Sequence, residues 1–188
     1  MGTAGRQVLT ASGKGALLSN GKGAIFDAAG ECVKCCDGSC DGDCSGGTNV
    51  TVDAVAHCSC LADGVTAGTG VAVTAGTWRI TYCSGAMRTN NEGFSPFDRW
   101  NYAESGLCGG PLMYVPLYGL GANLAAVAVW KVAPRPALSH VTAAEAEASG
   151  MCESVDITVA EDTTLWFFVN DDIRDDSEGS ITFHVKKL

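Results

Sequence analysis

"TLWFFVNDDIRDDSEGSITFHV", residues 164–185, decides how the chain is read. Its two ends are short apolar runs of strand type, LWFFV at 165–169 and ITFHV at 181–185. In the second run Ile181, Phe183 and Val185 share one face, because successive side chains of a strand point to opposite sides. The first run is apolar on both faces, as expected of a central strand covered on two sides. Between them Asp171, Asp172, Asp175, Asp176 and Glu178 place five carboxylates in eight positions. Like charges that close repel one another, raise pKa values and loosen a loop unless something compensates them. Calcium takes many oxygen ligands in irregular geometry, so the loop is a candidate calcium site, and a well-solvated acidic tip is the alternative.

Working outward, the same strand-and-turn pattern runs from about residue 65 to the end. VAV (71–73), WRITY (78–82), PLMYVPL (111–117), LAAVAVWKV (124–132) and VDITV (155–159) all read as extended, and Trp78, Ile80 and Tyr82 share one face. The one helical stretch is VTAAEAEAS (141–149). Many short strands separated by turn residues predict an all-β sandwich.

Upstream the composition changes twice. SGKGALL (12–18) and NGKGAIF (20–26) repeat eight residues apart, with AGECV (29–33) a looser third copy. Ser-Gly and Asn-Gly pairs suit two-residue hairpin turns, so residues 1–31 read as an arm of very short strands that buries little alone and packs on a partner. Residues 32–64 are the cysteine-rich linker: Cys32, Cys35, Cys36, Cys40, Cys44, Cys58 and Cys60 lie in it, and Cys83, Cys108 and Cys152 follow in the sandwich at 65–188. Gly, Asp and Ser make up much of the remainder of the linker, so crosslinks must supply its order. Disulfides among all ten cysteines use the segment better than zinc does. A zinc site at Cys32, Cys35, Cys58 and Cys60, with or without His57, leaves three neighbouring cysteines over. Asp37, Ser39, Asp41 and Gly42 begin like an EF-hand loop, but Thr48 stands where a bidentate Glu is needed.

The chain has 188 residues, 46% of them apolar and 18% charged, enough for a sizeable core. A net charge of −9 and a pI near 4.6 argue against a nucleic-acid partner, which needs a basic surface. No stretch is long enough to span a membrane, and the N-terminus lacks the apolar run of an export signal. His57, His140 and His184 stand in unrelated contexts, and no nucleophile has an evident base, so the expectation is a protein that is not an enzyme.

The order of these C-terminal motifs resembles the calcium-dependent, galactose-binding bacterial lectins and related small β-sandwich modules. VTAGTWRITYCSGAMR, FDRW (97–100), LCGGPLM (107–113) and the quoted final stretch follow in the family's order over roughly residues 65–188. The resemblance implies a lectin-like jelly roll. It implies calcium held by Asp171, with Asp176 and Ser177 at the paired ligand positions, Asp172 and Asp175 as neighbouring candidates, and the backbone of Tyr82 or Cys83 as an early ligand. Asp171 would also contact a sugar, together with Trp100, Asn101 and Tyr102. The family's sugar-contacting His has no counterpart after Asp98-Arg99, which puts galactose itself in doubt.

These readings combine into one expectation: a structural or adhesive part of an extracellular assembly, a bacteriophage particle above all. Residues 1–31 would contact other subunits, copies would form a homo-oligomer, and the sandwich would face outward toward a surface glycan. A free secreted calcium-dependent lectin and a zinc-stabilised interaction module are the alternatives.

Overall fold

The computed structural model describes residues 46–88, 115–134, 142–147, 153–171 and 173–188, and the backbone alone of 148–149 and of four short strands nearer the N-terminus. Those four are β1 (Arg6–Leu9), β2 (Ala16–Ser19), β3 (Ile25–Phe26) and β4 (Cys32–Lys34), which pair antiparallel in chain order as a meander. The chain continues with β5 (Thr48–Asp53), β6 (Cys58–Ser59), β7 (Thr69–Val73), β8 (Gly76–Arg88) and β9 (Val115–Gly121). It ends with β10 (Lys131–Val132), helix α1 (Ala143–Ser149), β11 (Ser154–Val159), β12 (Thr163–Asn170) and β13 (Glu178–Lys187).

Two sheets form the body. One has the order β11-β8-β13-β5 and is antiparallel throughout. The other runs β10-β9-β12, and the free edge of β12 is shared between antiparallel β7 and a short parallel pairing with β6. The all-β reading therefore holds, and the sandwich begins earlier than residue 65. β5 and β6 lie in the stretch assigned above to the crosslinked linker, yet Val50 and Val52 are core residues. The turn that carries the chain from one sheet to the other explains how. The Asp53 carboxylate accepts from the backbone N–H groups of Val55 (2.9 Å) and Ala56 (2.8 Å), and the N–H of Asp53 donates to His57 Nδ1 at 2.9 Å. These local bonds satisfy the backbone where neither ladder reaches it.

The core follows the strand phase. Ile80 and Tyr82 from β8, and Ile181, Phe183 and Val185 from β13, are fully buried against Leu165, Phe167 and Val169 of β12. Phe167 and Phe183 stack across the two sheets with centroids 5.3 Å apart, a contact stabilising by about 1 kcal/mol beyond the area it buries. The opposite face of β12 is also covered. Phe168 packs with Val115 and Leu117 beneath Leu61, Val65 and Trp130, and the Trp130 ring meets it edge-on at 4.5 Å. That second layer is why LWFFV is apolar on both sides.

One predicted strand is largely absent. Residues 124–132 form a 3-10 turn at Leu124–Ala126, capped by the Asn123 side chain, and only Lys131–Val132 joins a ladder. Asn at the cap position diverts the backbone into the turn, and the segment after it crosses over β9. Gly119 and Gly121 make room for the crossing, since a Cβ on either would lie 2.3 Å or 2.9 Å from its atoms. The expected helix does form, with a capping box: Glu145 N–H donates to Thr142 Oγ1 (3.3 Å) and Thr142 N–H to Glu145 Oε2 (3.2 Å). No helix among the described residues is long and apolar enough to cross a membrane.

Candidate functional site

The acidic loop joins β12 to β13, and its first residues remain in the ladder. Asp171 N–H donates to the Ser59 carbonyl at 3.0 Å, continuing the parallel pairing of β12 with β6. Asn170, fully buried, accepts from Leu61 N–H at 2.8 Å. Asp171 is 1% exposed, and its carboxylate turns back into the loop instead of toward solvent. One oxygen accepts from Ile173 N–H at 3.1 Å and the other from the Ser177 hydroxyl at 2.8 Å. Between those two donors the chain makes a 3-10 turn, Arg174–Asp176, closed by Ser177 N–H on the Arg174 carbonyl at 3.3 Å. Asp171 is thus the internal cap of its own loop.

The like charge is compensated from inside the fold. Arg174 donates to the Cys58 carbonyl at 3.2 Å, which draws its guanidinium over β6, and Arg88 of β8 pairs with Glu178 at 2.8 Å. The Cys58 thiol donates to the Asp171 carbonyl at 3.4 Å. Its pKa is pushed up to about 11, first by burial and then by the Asp171 carboxylate, with Arg174 opposing. A thiol held in that state is a poor nucleophile near neutral pH.

The residues named from the sequence fall in different places. Asp171 and Ser177 are buried together, Asp176 is half-buried, and Asp175 points to solvent. Asp172 lies outside the described residues, as do Trp100, Asn101 and Tyr102. Tyr82 is not brought to the loop. It pairs with Phe183, five residues along β13 from Glu178, so about 17 Å of strand separates them. Its N–H donates to the Glu153 carbonyl, and its buried phenol, raised in pKa chiefly by that burial, bonds the Gly85 carbonyl. Among the described residues no three His, Cys, Asp or Glu side chains converge to hold a metal. The described donors of this loop close it on Asp171.

The cysteines also divide. Cys58 and Cys83 are both buried, and Cys58 is a thiol outside any disulfide. One lies beneath the acidic loop and the other inside β8. Cys60 is disulfide-bonded, and no disulfide joins two described side chains. Cys35, Cys36, Cys40, Cys44, Cys108 and Cys152 lie outside the described residues, and of Cys32 only the backbone is described. Of the zinc candidates, His57 accepts from Asp53 N–H at Nδ1, and the Cys58 thiol donates to the Asp171 carbonyl. His184 is buried and donates from Nδ1 to Asn49 Oδ1 at 2.8 Å.

Two residues that complete the site, Arg174 and Arg88, went unremarked in the sequence, and Cys58 was read there only as a crosslink or zinc candidate. Arg174 sits within the quoted loop and could have been weighed against its carboxylates, whereas Arg88 and Cys58 arrive only through sheet pairing. No protein-family model, no curated protein and no solved structure matches the chain.

Proposed function

We propose that this chain is a non-enzymatic structural or adhesive component of an extracellular assembly, with a bacteriophage particle the best fit. Its sandwich is the displayed module and its N-terminal meander the attachment. The observation that carries this reading is the meander itself. Its strands are two to four residues long and, among the described residues, share no ladder with either sheet of the body. Strands so short bury too little to persist without a surface to lie on, which other subunits supply. The test is co-sedimentation. Full-length chain should remain with washed particles after nuclease treatment, whereas recovery only as free protein would overturn the assignment.

A calcium-dependent, lectin-like display module is the finer form of the proposal. The burial of Asp171 at the root of the loop supports it, because one carboxylate there already draws in two residues of the loop, Ile173 and Ser177. Calcium would use Asp171 and the neighbouring Asp172, Asp175 and Asp176, and a surface glycan would be met by the same end of the sandwich. Glycan binding that chelation abolishes would support this form, and glycan binding by free secreted protein would favour the free lectin. Bound zinc with ten reducible thiols would favour the interaction module.

A further inference from the structure

The two parts of the chain carry opposite charge. Residues 1–26 contain Arg6, Lys14 and Lys22 and no acidic residue, a net of +3. The remaining residues hold the other 9 cations against all 21 carboxylates, a net of −12, which together restore the −9 of the whole. A cationic arm on an acidic body invites the question of where such an arm would lie.

The body offers one edge suited to it. β11 pairs only with β8 among the described strands, and among the described residues its other side is an open edge of the sheet. The Tyr82 N–H bond to the Glu153 carbonyl sets the hydrogen-bonding phase. Residues 155, 157 and 159 then face β8, and Ser154, Asp156 and Thr158 direct their backbone groups outward. Beside that edge lies a cleft of about 500 Å³ between the two sheets, walled by Tyr118, Leu120, Val129 and Ile157. Val129 is 62% exposed at its mouth. An open backbone edge beside an apolar cleft is the geometry that accepts an added strand. The edge is acidic: Asp156 on β11, Glu153 just before it and Glu161 and Asp162 just beyond it are all exposed. They outnumber the neighbouring cations Arg79, Lys131 and Lys187.

We propose that β1, the outer strand of the cationic meander of one copy, adds to β11 of a second copy, with apolar residues of the arm filling the cleft. Topology favours a neighbour's arm over the chain's own. The arm enters the body through β5, which is the opposite edge of the same sheet from β11. Each copy therefore receives at one edge and donates from the other, a head-to-tail contact that makes rings or open filaments instead of a two-fold dimer. This rests on the assembly role proposed above and specifies its contact.

The test is sedimentation velocity on the full-length chain at low and high salt. Self-association should be seen at low salt, weaken as salt screens the charges, and extend beyond a dimer. Thr158→Pro removes an outward-facing N–H without touching the β8 ladder, and Arg6→Glu reverses the charge on β1 while leaving the body unaltered. Each should weaken association roughly tenfold or more. If Thr158→Pro fails to fold by circular dichroism, Arg6→Glu decides alone. A chain that stays monomeric, forms only a two-fold dimer, or associates equally well with both substitutions would overturn the contact. The assembly role is judged separately. Particle association that survives both substitutions sinks the β1–β11 contact alone, and salt-sensitive self-association without particle association sinks the particle.

Discussion

Replacing Asp171 by Ala separates a loop that closes on itself from one closed by a cation. The substitution removes an acceptor that is 1% exposed and strands two donors, Ile173 N–H and the Ser177 hydroxyl. Each bond to an ionised acceptor contributes about 1.5–3 kcal/mol. Release of the buried charge from its own desolvation offsets part of that sum, leaving a loss of about 3 kcal/mol. For a chain of this size the loss lowers the melting temperature by roughly 6–12 °C. Asp171→Asn keeps the shape and the Ile173 bond and needs only a rotated Ser177 hydroxyl, so it should cost about 1 kcal/mol. The assay is urea and thermal unfolding followed by tryptophan fluorescence, in EDTA and again in calcium. The self-capped loop predicts the same penalty for Ala in both. An Ala variant within about 0.5 kcal/mol of the wild type in EDTA would refute the cap. A wild type that loses as much stability to EDTA as to the substitution would show a cation doing the work instead.

The remaining expectations concern other parts of the fold. Gly179 has φ +85°, and a Cβ there would sit 2.3 Å from the Ala86 carbonyl, so Gly179→Ala should destabilise by about 3 kcal/mol in urea unfolding. Gly46 has a similar φ of +78° but nothing within 4 Å, and Gly46→Ala should cost only about 1 kcal/mol; equal penalties would deny the steric argument. Cys58 should resist alkylation in the native protein at pH 8 and react in denaturant without reductant, as intact mass would record. Rapid native labelling of Cys58 would contradict the thiol environment described. Burial holds the His57 pKa below its ordinary 6.5, against the pull of Asp53, and only the neutral ring accepts from Asp53 N–H. Its contribution is therefore complete above pH 6.5 and is lost as pH falls through the lower folded value. His57→Gln should flatten the stability curve in that acid range, and an unchanged curve would remove His57 as its cause.

What the sequence determined by itself is the part governed by local alternation and composition. Ile181, Phe183 and Val185 reach the core because a strand's period is two, and LWFFV is covered on both faces because both are apolar. The capped helix at 143–149 and the meander of short strands follow from signals within a few residues. The strand expected at 124–132 failed because an Asn cap and a crossing over Gly119 outweighed its apolar content. What only the tertiary structure decided is the character of the acidic loop. Its carboxylates looked mutually repulsive because Arg88 lies 90 positions from Glu178, and Cys58 lies 113 from Asp171, until the sheets pair. Charge balance and burial are set by neighbours in space, and those neighbours hold Asp171 as the cap of its own turn.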